Sequence, residues 1–175
     1  MMVLVFEAGV FLWMLGLVMV LAGKGGLGYY LRTCIAVLLF EILTQPMWTN
    51  VFPNAWAYLF KDVSWVLTLG WTNIIVTSTL IADNWDGGIE ARNFILTVAL
   101  ASLLGLVQEG LLVGWGVRQY AEVLVHEHFR LGYLPGTQLP VEALYYVPVF
   151  LTLVIGLARF WSLPGKTESV RRSHP

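Results

Sequence analysis

Seven polar side chains interrupt otherwise apolar stretches of this sequence: Glu7, Glu41, Gln45, Asn73, Gln108, Glu109 and Glu142. An ionisable group in such a setting is expensive and faces the interior of a helix bundle or water. Carboxyl groups gathered in low dielectric resist ionisation, because desolvation and like charge both disfavour the charged form. One that keeps its proton can act as a general acid, and its ionised partner as a base. It could equally carry protons or bind a cation. Glu41, Glu109 and Glu142 are the candidate catalytic acids and bases. Gln45, Trp65, Trp71, Asn73, Trp115 and Tyr145, together with Tyr146, are candidates for the wall of a substrate site, where aromatic faces would stabilise positive charge.

Each acid also has a plainer reading. Glu142 follows Pro140 at a helix start, where an acid favours the helix dipole. Asp62 could cap the third helix. Glu7 could snorkel to a membrane surface, and Glu41 and Glu109 could bond across helices to Asn73, Gln108 or a tyrosine.

Metal and cofactor chemistry have little support. His126-Glu127-His128, with Glu122 one helical turn earlier, offers nitrogen and oxygen ligands but no evident third strong ligand for zinc. No apolar segment contains a histidine for haem. Gly23-Lys24 lacks a phosphate-loop context, and GxSxG and HExxH are absent. The single Cys34 sits in an apolar run and reads as a small hydrophobe. No metal and no cofactor is therefore expected.

The elements that must position these residues are read from hydropathy. Of 175 residues, 58% are hydrophobic and 12% charged, against roughly a quarter charged in soluble domains; the mean hydropathy is +0.73. A net charge of −1 without a basic cluster gives no sign of nucleic-acid binding. Crossing a bilayer takes about 20 residues per helix. Five segments qualify, at about 3–22, 30–47, 63–82, 93–116 and 141–163, so a single all-α, polytopic membrane domain over 1–175 is expected. No basic residue precedes the first segment and Glu7 interrupts it, unlike a signal peptide. Turns are expected at Lys24–Gly28 and Asp83–Gly88, an interfacial loop over Thr49–Phe60, and a polar connection from Arg118 to Pro140. Gly105, Gly110, Gly114 and Gly116 suggest close helix approach in the fourth helix.

Lys24, Arg32, Arg92, Arg159, Lys166, Arg171 and Arg172 fall at one end of the bundle, and Lys61, Arg118 and Arg130 at the other. The positive-inside rule then puts the N-terminus outside and the C-terminus in the cytoplasm. Counting about 1.5 Å per residue, Glu41 lies near the midplane and Glu7, Asp62, Glu109 and Glu142 in the outer half. If they face inward, they form one acidic, water-accessible cavity open to the outside.

Glu109 is followed by Gly114, Gly116 and Tyr120, then by Leu131-Gly132, Leu134-Pro135-Gly136 and Leu139-Pro140-Val141-Glu142. This order resembles the integral-membrane carotenoid hydratases and lycopene-cyclase-type proteins, which pair a glutamate helix with a Pro-x-Glu helix start. It is similar also to small membrane-bound isoprenoid cyclases, where intramembrane carboxylates protonate an alkene or epoxide. The resemblance implies a lipid-soluble isoprenoid substrate, with Glu41, Glu109 and Glu142 as acid and base. Two other readings stay open: an accessory subunit with a membrane-protein partner, and a small proton- or cation-coupled transporter, which the lack of a visible repeat disfavours.

Overall fold

The computed structural model describes residues 2–23, 26–52, 54–85, 90–128 and 131–161. Five helices in it are long and apolar enough to cross a membrane: α1 (Met2–Ala22), α2 (Leu27–Thr44), α3 (Trp65–Trp85), α4 (Glu90–Gly114) and α5 (Ala143–Phe160). The helix α3 is central. It packs against α1, α2 and α4, and α5 closes the bundle between α2 and α4. Two buried hydroxyls along α3 are satisfied by donating back one turn, Thr72 to Thr68 O and Thr79 to Ile75 O. By contrast α1 is peripheral. It buries Glu7, Val10, Leu17 and Leu21, a narrow stripe at three- and four-residue spacing, and leaves its other faces apolar and exposed.

Four short strands gather at the bundle end where α2 and α4 finish and α3 and α5 begin. They are β1 (Trp48–Asn50), β2 (Tyr58–Phe60), β3 (Val63–Ser64) and β4 (Arg118–Tyr120). The pairing of β1 with β4 is antiparallel, Trp48 opposite Tyr120 and Asn50 opposite Arg118. The expected interfacial loop is thus partly extended backbone, hydrogen-bonded to a segment far along the chain. The third helix begins at Trp65 because Val63–Ser64 pair with β2.

Helix ends differ from expectation for local reasons. The second stops at Thr44, and Gln45–Met47 tighten into a 3-10 turn at Pro46. The third continues through Asp83 and Asn84, expected as turn residues, to Trp85; Asn84 donates back to Leu80 O. The fourth ends two residues early. Gly116 adopts φ +71°, Gly116 N–H bonds Val113 O and Val117 N–H bonds Leu112 O, a helix stop that only glycine enters freely. Gly116 is therefore a terminator and not a helix-packing residue. Of the four glycines, Gly105 alone sits under a close neighbour: a Cβ there would lie 2.6 Å from the Trp71 ring. The fifth helix begins at Ala143, with Glu142 at its N-cap. Residues 24–25, 86–88 and 162–163 of the expected turns and fifth helix, and Lys24, Arg130, Lys166, Arg171 and Arg172 of the charge count, lie outside the described residues.

Candidate functional site

Glu109 occupies the last turns of α4. Beyond it the Gly116 stop reverses the chain, so that Arg118 folds back over the helix that precedes it. Strand alternation then sorts the side chains. In the β1–β4 pair, Trp48, Asn50 and Arg118 are buried while Thr49 and Gln119 are exposed.

Arg118 Nη1 donates to both Glu109 oxygens, at 3.1 and 3.3 Å, and Arg118 Nε donates to Asn50 Oδ1 at 3.0 Å. The Trp48 ring lies under the guanidinium, 4.8 Å away. Asn50 is itself fixed by donating to Asp62 O at 2.6 Å. The Tyr120 phenol donates to Glu109 Oε1 at 2.8 Å and is bonded to the Tyr146 phenol. With the Tyr120 proton directed at Glu109, Tyr146 is the donor between the two. On the α2 side, Glu41 Oε2 accepts a hydrogen bond from Thr68. Glu41, Glu109 and Arg118 are 2%, 1% and 3% exposed.

The electrostatics follow from this packing. Burial works against the Arg118 cation, but its neighbours, the bonded Glu109 carboxylate first among them, outweigh it and raise its pKa above the ordinary value. Burial, then the Glu109 carboxylate, push the Tyr120 phenol far above the ordinary phenol value, so it remains a donor. One donor in the cluster is left over: Arg118 Nη2 is buried and has no hydrogen-bond partner among the described residues.

Glu41, Glu109 and Arg118 form the polar wall of a cavity of about 220 Å³, which Thr44 and Tyr146 also line. The remaining wall is apolar. Trp71, held against Gly105, meets Phe150 edge-on at 5.6 Å, and Phe150 meets Phe40 edge-on at 6.0 Å. Val149 and Leu153 of α5 border the cavity and are also exposed on the bundle's outer surface. The cavity thus reaches the apolar flank of the bundle between α2 and α5.

Of the residues singled out from the sequence, Glu41, Glu109, Trp71 and Tyr146 share this cavity and the others do not border it. Glu142 is buried, but its Oε1 accepts from Leu131 N–H at 2.9 Å and ties the preceding loop to α5. Gln45 donates to Asp62 Oδ2. Asn73 accepts from Tyr30 OH and donates to Val10 O, holding α1, α2 and α3 together. Trp65 donates to Trp56 O and packs on Phe11. Trp115 is 37% exposed and packs edge-on against Phe6, while Tyr145 is exposed beside Tyr146. The single acidic cavity expected from the sequence is therefore replaced by two carboxyl groups with a guanidinium beside one of them. Arg118 was readable only as a loop charge; its one local signal is the glycine-terminated helix between it and Glu109.

His126 and His128 are exposed in a short π-helical segment, Leu124–His128. Among the described residues no three of His, Cys, Asp and Glu gather as a metal-binding set. Comparison with family models, curated proteins and solved structures gave no match to this chain.

Proposed function

We propose that this protein is a multi-pass membrane enzyme that moves a proton to and from carbon in a lipid-soluble substrate, of isoprenoid type, admitted sideways between α2 and α5. The observation that carries the reading is the placement of Glu41. It is a buried carboxyl group with one hydrogen-bond donor, Thr68, on the wall of an aromatic-lined cavity that reaches the apolar flank of the bundle. The buried cluster holds two carboxyl groups against one guanidinium. Arg118 and Tyr120 both donate to Glu109, so the proton that balances the charge resides on Glu41.

Glu41 gives that proton to an unsaturated carbon, and the cationic charge so formed lies beside the Trp71 and Phe150 rings. Loss of a different proton to the Glu41 carboxylate restores the site. The net change is an isomerisation or a cyclisation, and atoms and electrons balance. Glu109 positions Arg118 and Tyr120, and Tyr146, which lines the cavity, gives the chain Tyr146–Tyr120–Glu109 a route for a second proton. By the count of basic residues, the cavity end and the N-terminus face outward and the C-terminus is cytoplasmic.

The test is the neutral-lipid profile of cells expressing the protein or its Glu41→Gln variant. Removing a general acid slows turnover about 10²–10⁴-fold, so a product present with the native protein is expected to vanish in the variant at equal protein level. Identical profiles, with a product in both, would reject the reading.

A further inference from the structure

Arg118 carries the one buried polar group lining this cavity that the described residues leave without a hydrogen-bond partner. Its Nε and Nη1 are bonded to Asn50 and Glu109 and its face is covered by Trp48, while Nη2, equally buried, has no partner. A guanidinium offers five donors and no acceptor, so only an acceptor can complete it. Buried donors in native proteins are nearly always satisfied, and an orphan beside a cavity calls for an absent partner. Arg118 lines that cavity, whose remaining walls are mainly apolar.

Resting on the acid–base reading of the same cavity, we infer that its ligand is an oxygenated lipid whose neutral carbonyl-type oxygen accepts a hydrogen bond from Arg118 Nη2, and not a pure hydrocarbon. An anionic head is disfavoured, because the one guanidinium is already paired with the Glu109 carboxylate and Glu41 must release its proton into the same space. The size fits a short head. A void of about 150 Å³ takes one benzene ring, so about 220 Å³ holds a ring or two isoprene units. The rest of the chain passes out along Val149 and Leu153. A hydrocarbon in the same place would fill the aromatic wall and leave Nη2 unpaired, which lowers affinity by roughly tenfold or more.

The test uses the full chain in lipid nanodiscs and two probes of one skeleton: geranylacetone, and the hydrocarbon in which CH2 replaces its C=O. Binding is read from tryptophan fluorescence, to which Trp71 and Trp48 at the cavity report. The ketone is expected to bind at least tenfold more tightly. Arg118→Lys keeps a charge beside Glu109 but removes the second arm, and is expected to bring the two affinities within threefold of each other. Equal binding of the two probes by the native protein, binding of neither, or an undiminished preference in Arg118→Lys overturns the inference. Glu41→Gln separates the two proposals. A product that persists in Glu41→Gln cells while the ketone preference stands rejects the acid–base reading and leaves the oxygen site supported.

Discussion

Arg118 and Glu109 stand nine positions apart on either side of a helix end, yet Arg118 Nη1 reaches both oxygens of the carboxylate, and both side chains are almost fully buried. Such a pair constrains more than it stabilises, because desolvating two charges offsets most of their attraction. Removing one partner leaves the other charge stranded. Glu109→Leu is expected to lower stability by about 3–5 kcal/mol, read from thermal unfolding in detergent. Glu109→Leu combined with Arg118→Met should lose less than Glu109→Leu alone. Additive losses would show that the pair is not a coupled unit.

The geometry of that pair depends on Gly116. At φ +71° an L-residue with a Cβ is strained by about 1–2 kcal/mol. Gly116→Ala is expected to lower the unfolding temperature, and the ketone preference should weaken as Arg118 loses its position. Gly136, with a similar φ of +73° in a loop that does not border the cavity, supplies the control: Gly136→Ala should cost stability without changing that preference.

Trp71 lies on Gly105 so closely that an added Cβ would sit 2.6 Å from the ring. Gly105→Ala therefore forces the indole toward Phe150 and into the cavity. The expected cost is about 1–3 kcal/mol, as for other overpacked sites, with a smaller cavity and weaker probe binding. An unchanged probe affinity would mean that the ring does not border the bound ligand.

Tyr120 gives an alkaline signature. Its folded-state pKa is raised by burial and by Glu109, while the unfolded phenol titrates near 10. Below about pH 10 both states hold the proton and the stabilisation is complete. Above it the unfolded state loses its proton first, so stability falls with rising pH, by up to about 1.36 kcal/mol per pH unit for one group. Tyr120→Phe should flatten this decline by one proton's worth. An identical slope in the variant would contradict the assignment.

The five helices were legible because apolar runs of membrane-spanning length need no partner to be recognised. Their ends were less so: the stop after Gly114 depends on a positive φ at Gly116, which read equally well as a small residue for helix packing. The β1–β4 pair was hidden, since Trp48–Asn50 carries no strand pattern without Arg118–Tyr120, which lies far along the chain. At the site, helix rotation decided the outcome. Glu41 and Trp71 turn to one cavity, whereas Trp115 and Tyr145 point away and Glu142 is engaged by Leu131 N–H. Hydropathy could not distinguish these, because every face of such a helix is apolar.

The most direct measurement is solvent-deuterium incorporation. The native protein and its Glu41→Gln variant, in nanodiscs loaded with a neutral-lipid extract, are incubated in D2O and the lipids are analysed by mass spectrometry. Glu7→Gln, which alters a buried acid away from the cavity, serves as the control. Carbon-bound deuterium in a neutral lipid, present with the native protein and Glu7→Gln and lost in Glu41→Gln, is the expected result. Equal labelling in all three, or none in any, would contradict a proton-transfer role for Glu41.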